Sequence, residues 1–156
     1  MTSIFLADDH SLFRSGMVKR IDGIGGFTLA AEADTGSAAV EYVAQYTPDI
    51  LLLEMSMPDM SGFEMLRRIQ RMHLGTRVVA STNWTTQPMP LHAMRAGIDG
   101  YLGKDTVPQE FEKALYKLRF GRRATYLRLS PTKWPGSPMA TCRIIPFNSY
   151  RCGKCR

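Results

Sequence analysis

Acidic, hydroxyl and amine side chains follow short apolar segments at four places along the chain. Asp8 and Asp9 come after the first segment, and Glu54 comes after a later one. Thr82 and Lys104 follow two further segments. Three carboxylates held close together repel one another unless a cation lies among them, and Mg²⁺ prefers carboxylate and water oxygens. Since a hydroxyl and an ammonium group can bind phosphoryl oxygens, these residue types predict magnesium-assisted phosphoryl chemistry.

The apolar segments that precede these residues have the length of β-strands. They cover residues 3–7, 27–32, 50–53, 77–81 and 100–103. Residues 50–53 read Ile-Leu-Leu-Leu without any polar alternation. Such a run is typical of a central strand that is covered on both faces. We therefore expect five strands, with residues 50–53 near the middle of the sheet.

Helical spacing of apolar residues appears between these strands and after the last one. The predicted helices lie at residues 13–21, 39–44 and 90–96, after a Ser61-x-x-Glu64 capping box, and after an opening Thr106-x-Pro-Gln. Five strand-plus-helix units with right-handed crossovers give a doubly wound, five-stranded parallel sheet with helices on both faces. The carboxyl ends of parallel strands meet at one edge of such a sheet. The α/β fold therefore predicts that the polar residues named above converge.

The charge of the chain is divided unevenly. The formal net charge is +6, yet all 14 acids and 12 of the 20 bases lie in residues 1–120. Residues 121–156 hold the other 8 bases and no acid. The basic character therefore belongs to a C-terminal tail, residues 123–156, and not to the predicted domain, residues 1–122.

The order of the motifs resembles the receiver domain of response regulators. The matching elements are Asp8-Asp9, the segment L-L-L-E-M-S-M-P-D-M-S-G, Thr82, G-Y-L-x-K ending at Lys104, and P-Q-E-F. The resemblance covers residues 2 to about 122 and is strongest to the NarL/FixJ branch, including its UvrY/GacA-like members. It implies a flavodoxin-like receiver fold.

The resemblance also implies a Mg²⁺ site. Asp8 and Asp9 match the acidic pair that holds the ion, with Asp9 as the direct ligand. Ser56 matches the residue whose backbone carbonyl completes the site. Glu54 falls on the phosphoacceptor position, which is also part of the metal site. Magnesium is therefore the cofactor that the resemblance implies.

Three further residues match the family's switch. Thr82 matches the hydroxyl that moves toward the phosphate, and Tyr101 matches the aromatic residue that turns inward with it. Lys104 matches the amine that pairs with a phosphoryl oxygen. Each of these residues alone would be an ordinary loop, core or surface residue, so their assignment depends on the whole set.

Glu54 departs from the family, which has aspartate at the phosphoacceptor position. Glutamate is longer by one methylene, about 1.5 Å, so its carboxylate reaches into the space of the metal or the phosphoryl group. A phosphoryl group adds roughly −1.5 to −2 charge, whereas glutamate adds one negative charge. We hypothesise that the chain does not accept phosphate and is fixed either near the active state or in an inactive one.

Several other residues carry weaker signals. We interpret His10 as a helix cap or a surface residue. Trp84 and Met89 are candidates for a partner surface. Cys152 and Cys155 have the spacing of half a zinc knuckle, but a structural zinc site needs four ligands and only one more cysteine lies in the tail. We therefore expect no zinc site there.

The tail has four prolines, no acid and no helical period, so we expect it to be largely disordered. Family members of this branch continue from the receiver into a helix-turn-helix domain, and nothing in the tail resembles one. We hypothesise a truncated or frameshifted regulator. DNA binding would then require the missing domain, apart from weak, non-specific binding by the basic tail.

The resemblance implies a cytoplasmic receiver module of a two-component transcriptional regulator, which is a signalling protein and not an enzyme. Its partners would be a sensor histidine kinase and a second regulator chain, in a homodimer or a mixed dimer, with no membrane partner. A stand-alone receiver that acts by protein contact is the main alternative. A nucleic-acid binder acting through the tail is another. A haloacid-dehalogenase-type enzyme would need an Asp-x-Asp pair that is absent.

Overall fold

Six parallel strands and five helices make up the described part of the protein. A computed structural model describes residues 1–83 and 89–122, together with the backbone of 124–126. The elements are β1 (Thr2–Ala7), α1 (Ser11–Asp22), β2 (Phe27–Ala33), α2 (Gly36–Tyr46), β3 (Ile50–Leu53), α3 (Gly62–Arg71), β4 (Arg77–Thr82), α4 (Met89–Arg95), β5 (Gly100–Gly103), α5 (Pro108–Arg119) and β6 (Ala124–Tyr126).

The strand order confirms the predicted doubly wound sheet. The strands lie in the order β2-β1-β3-β4-β5-β6, and each neighbouring pair is parallel. The four residues of β3 are fully buried, as the unbroken apolar run predicts for a strand with helices on both faces. The chain moves outward from β1 to β2 and then across β3, β4 and β5. The switch in direction lies between β1 and β3, where doubly wound sheets bind their ligands.

Two hydrophobic clusters, one on each face of the sheet, form the core. Alternate residues of β1 separate them, with Ile4 and Leu6 in one cluster and Phe5 and Ala7 in the other. The first cluster packs the sheet against α1 and α5. The second packs it against α2, α3 and α4. The period-two alternation of a strand thus supplies both layers from one short segment.

The beginnings of two helices test the predicted capping residues. Ser61 caps α3, because its hydroxyl accepts a hydrogen bond from the Glu64 amide at 3.3 Å. The predicted opening of α5 at Thr106 is wrong. The N-cap is Val107 and the helix begins at Pro108, since proline has a fixed φ and no amide hydrogen and therefore suits the first helical position.

A short sixth strand, β6, extends the edge of the predicted five-stranded sheet. It pairs with β5 in parallel, with Ala124 opposite Gly100. Three residues are too few to show a period in the sequence, and the pairing becomes possible only after α5 has returned the chain to the start of β5. Residues 127–156, with all three cysteines, lie outside the described residues, so the predictions for the tail stay predictions. Among the described helices, none is long and apolar enough to cross a membrane.

The loop after β3 is tied to the start of α2 by one carboxylate. Asp59 accepts hydrogen bonds from the amides of Gly36 at 2.7 Å and Ser37 at 2.9 Å, and from the Ser37 hydroxyl at 2.6 Å. The hydrogen bonds of the Ser37 hydroxyl, the Ser37 amide and the Gly36 amide lower the pKa of Asp59 to about 2. A carboxylate at a helix N-terminus satisfies amides that have no partner within the helix.

We predict that Asp59→Asn destabilises the protein in a pH-dependent way. The pKa of Asp59 is lower in the folded state than in the unfolded state. The stabilisation by Asp59 is therefore complete above pH 3.8 and is lost as the pH falls through about 2. The variant should show a lower urea midpoint near neutral pH, and its difference from the parent should shrink on acidification. The exposed Asp22, changed to Asn, is the control. A difference that is independent of pH would contradict the assignment.

Candidate functional site

The predicted residues converge at the carboxyl ends of four strands. Asp8 follows β1, Glu54 follows β3, Thr82 ends β4 and Lys104 follows β5. The strand register aligns these ends, with Ala7 opposite Leu53 and Thr82 opposite Gly103. The fold therefore brings together the side chains that the sequence singles out.

Lys104 lies between two buried carboxylates. Its Nζ is 2.6 Å from Asp8 Oδ2 and 2.7 Å from Glu54 Oε2, and the three side chains are at most 7% exposed. The same ammonium lies 4.5 Å from the centre of the Phe13 ring, within the range of a cation–π contact. Buried charges are costly unless they are paired, so the two carboxylates offset the cost of burying the ammonium.

The pKa of Lys104 reflects this balance. Burial by itself lowers the pKa of the amine, but the contacts with Asp8 and Glu54 raise it more strongly. The net shift is upward. Lys104 therefore stays protonated across the physiological pH range, and its positive charge is a permanent part of the site.

Glu54 directs both carboxylate oxygens at groups of the protein. Oε2 pairs with Lys104, and Oε1 accepts a hydrogen bond from the Ser56 amide at 3.1 Å. The Glu54 amide donates to the Ala7 carbonyl at 2.9 Å, which fixes the backbone of the residue. The longer side chain thus satisfies its charge within the protein.

His10 lies on the surface, as the sequence predicts, and its side chain contacts the aspartate pair. It occupies the N-cap position of α1, but its side chain makes no capping hydrogen bond. The imidazole Nδ1 lies 2.9 Å from Asp9 Oδ1 and 3.3 Å from Asp8 Oδ1. The sequence signal was the adjacency of His10 to the aspartate pair, which does not by itself show which way the ring points.

Arg14 is a second residue that sequence reasoning missed. Its Nη1 donates a hydrogen bond to the backbone carbonyl of Asp8 at 2.7 Å, and its Nε lies 3.8 Å from Glu32 Oε1. Arg14 is one helical turn beyond His10, so it faces the same loop. It fixes the backbone of the aspartate pair, while its charge is partly offset by Glu32.

The two predicted switch residues are buried. Thr82 is fully buried at the end of β4, and its carbonyl accepts a hydrogen bond from the Lys104 amide at 3.1 Å. Tyr101 is fully buried in β5. Burial, and after it the negative charge of Glu54, raises the pKa of the Tyr101 phenol well above its usual range. The phenol is therefore neutral, and it lies close enough to Glu54 to feel that charge.

Comparison with known proteins decides the family. Residues 4–116 match the response regulator receiver domain. The chain belongs to the response regulator receiver family. It is 35% identical to the response regulator UvrY of Escherichia coli over 123 residues, which are 79% of this chain and 56% of UvrY. It is 32% identical to the nitrate/nitrite response regulator NarL of E. coli over 129 residues, which are 83% of this chain and 60% of NarL.

Solved structures agree with the receiver fold. The signal receiver domain of the putative regulator NarL from Mycobacterium tuberculosis has a TM-score of 0.74 and 32% identity, and the match covers 78% of this chain and 98% of that one. These relatives confirm the resemblance to the NarL/FixJ branch. The receiver spans less than two thirds of the length of the curated relatives UvrY and NarL.

The acidic pair of this receiver suits a small divalent cation. Three carboxylates and one ammonium leave two negative charges among Asp8, Asp9, Glu54 and Lys104, which equals the charge of one such ion. The oxygens of Asp8 and Asp9 that face His10 are close enough together to share an ion. Glu54 fits the predicted metal set less well, because its two oxygens are directed at Lys104 and Ser56.

A groove of about 420 Å³ with a mixed polar and apolar lining begins next to Glu54. It is lined by Met55, Met57, Met60, Phe63 and Met89, among others. Met89, one of the two candidates for a partner surface, lies in this groove at the start of α4. The other candidate, Trp84, lies outside the described residues.

We predict that Lys104→Met strongly destabilises the protein. Asp8 and Glu54 would then be buried without their counter-ion, and the free energy of unfolding should fall by about 3–5 kcal/mol. Urea denaturation in the presence of EDTA measures the change. Lys113→Met on the exposed surface of α5 is the control, with an expected change within about 0.5 kcal/mol.

A double variant tests the same ion pair. Adding Glu54→Gln to Lys104→Met removes one of the two unpaired charges, so part of the lost stability should return. The coupling between the two positions should be about 0.5–3 kcal/mol. Strictly additive effects, or a loss in Lys104→Met no larger than that in the control, would show that the pair does not stabilise the site.

Proposed function

We propose that this chain is the receiver module of a two-component transcriptional regulator that works without phosphate transfer to residue 54. The observation that carries the proposal is the buried ion pair between Glu54 and Lys104, 2.7 Å apart. In the receiver family, which this chain resembles at Lys104, the amine serves the phosphoryl group. Here it is already paired with two carboxylates of the protein.

Charge and space both argue against phosphorylation. A phosphoryl group on Glu54 would add roughly −1.5 to −2 charge beside the Asp8 carboxylate, and would have to displace Glu54 from Lys104. The oxygen that would attack is directed either at Lys104 or at the Ser56 amide. In-line displacement requires the attacking oxygen to be free and aligned.

The arrangement of Tyr101 supports a state close to the active one. The resemblance implies that this aromatic side chain turns inward when the switch operates, and it is fully buried here. Its neutral phenol lies within electrostatic reach of Glu54. Glu54 therefore acts as a permanent, partial substitute for a phosphorylated aspartate.

The acidic pair retains the means to hold a divalent ion. Asp8 and Asp9 would bind it, with the Ser56 carbonyl as a further oxygen ligand. A bound Mg²⁺ would supply positive charge that offsets the crowded carboxylates. Asp8 also holds Lys104, while the Asp9 carboxylate is partly exposed and open to solvent.

Partners follow from the family and from the relatives. A sensor histidine kinase and a second regulator chain, identical or intact, are the expected protein partners. Contact with DNA would run through an output domain outside this receiver, or weakly through the basic tail. A cytoplasmic location follows from the same assignment.

The proposal predicts that Glu54→Asp makes the protein a phosphoacceptor. A shorter carboxylate withdraws from Lys104 and leaves that ammonium for the phosphoryl oxygens. Incubation with acetyl phosphate and Mg²⁺ should add one phosphoryl group that hydroxylamine removes, as measured by intact mass. The unchanged protein should gain none.

Two variants control this experiment. Glu64→Asp shortens an acidic residue in α3, away from the strand ends, and should stay unmodified. Glu54→Gln lacks the nucleophile and should also stay unmodified. A hydroxylamine-labile phosphate on Glu54 of the unchanged protein would overturn the proposal, and so would a folded Glu54→Asp variant that takes up no phosphate.

A further inference from the structure

Three potential ligand atoms meet where β1 leads into α1. They belong to Asp8, Asp9 and His10, and all lie within 4.8 Å of one another. Nδ1 of His10 is 2.9 Å from Asp9 Oδ1 and 3.3 Å from Asp8 Oδ1. The family resemblance stated above assigns no role to the histidine.

The distances suit neighbouring ligands of one ion. A metal with ligands at about 2.1 Å and right angles between them places adjacent ligand atoms about 3.0 Å apart. The two contacts of His10 Nδ1, at 2.9 and 3.3 Å, bracket that separation. Little rearrangement of the three groups would therefore be needed for one ion to bind between them.

The backbone around these ligands is held in place. The His10 amide donates to Asp8 Oδ1 at 2.8 Å, and the Arg14 amide donates to the His10 carbonyl at 3.0 Å. Asp8 is fully buried, whereas the side chains of Asp9 and His10 are 27% and 61% exposed. The buried Asp8 would be a rigid ligand. The partly exposed side chains of Asp9 and His10 leave a path for an ion and its water ligands.

The substitution at position 54 changes which residue completes the site. In the family set the third protein side chain would come from position 54, after β3. Here Glu54 is directed at Lys104 and Ser56, while His10 faces the aspartates. The third protein group that faces the aspartates is thus an imidazole nitrogen and not a carboxylate. Imidazole favours borderline transition metals, whereas purely oxygen sites favour Mg²⁺.

We propose that Asp8, Asp9 and His10 form a mixed oxygen and nitrogen site that binds a divalent transition metal in preference to Mg²⁺. The inference depends on the proposed metal binding by the acidic pair, and not on the proposed lack of phosphorylation. His10 determines the choice of ion, because the two aspartates alone would bind either kind.

Calorimetric titration of the full chain with Co²⁺ and with Mg²⁺ tests the site. Thiolates are ligands for transition metals, so C142S, C152S and C155S remove the tail cysteines from the background. In this background Co²⁺ should bind at least about tenfold more tightly than Mg²⁺, since imidazole is a better ligand for cobalt than for magnesium.

His10→Gln should abolish that preference. Mutation of a residue that only supports a ligand costs about 10- to 100-fold in metal affinity, so loss of the ligand itself should lower Co²⁺ affinity by at least tenfold. The affinity for Mg²⁺ should change little, because the carboxylates remain. His73→Gln, an exposed histidine on another loop, is the matched control and should leave both affinities unchanged.

The outcomes separate this inference from the proposed function. Binding of both ions that Asp9→Asn weakens and His10→Gln leaves unchanged would overturn the role of His10 but keep the acidic pair as the metal site. No binding of either ion would overturn both statements about the metal. The lack of phosphate transfer to Glu54 in the unchanged protein is decided separately, by intact mass.

Discussion

The ammonium of Lys104 holds the carboxyl edge of the sheet together. It joins the residue after β5 to Asp8 after β1 and to Glu54 after β3. Without this ammonium, the carboxylates at the ends of β1 and β3 would repel each other, and nothing would attract them to the end of β5. The geometry of the whole site depends on this contact, because removing one partner of a buried ion pair leaves the other charge without compensation.

The fold was predictable where short-range patterns determine it. The apolar run of β3 and the Ser61 cap of α3 are local signals, and the structure has both. The start of α5 was predicted wrongly because Thr106 was taken as the beginning of the helix. Pro108 restricts the backbone more than Thr106 does and is the first helical residue. β6 could not have been found in this way, since its pairing partner lies more than twenty residues earlier and its three residues show no pattern.

The site was predictable as a set of residues but not as a set of contacts. Strand topology alone brings Asp8, Glu54 and Lys104 to one edge. The side-chain torsions decide that Glu54 is directed at Lys104 and that the His10 ring faces the aspartates. Neither spacing nor composition encodes those torsions. The family resemblance would also have placed Glu54 with the metal ligands, because it carries the role of an aspartate onto a longer side chain.

Asp8 connects the two halves of the site, because each of its oxygens serves a different one. Oδ2 pairs with Lys104, and Oδ1 accepts from the His10 amide and faces the His10 ring. A cation at Oδ1 would draw charge from Asp8, weaken its hold on Lys104 and leave the ammonium more strongly paired with Glu54. Such coupling is reciprocal. A cation bound by the acidic pair would therefore be linked to the position of residue 54 through one carboxylate, because Asp8 and Glu54 share Lys104.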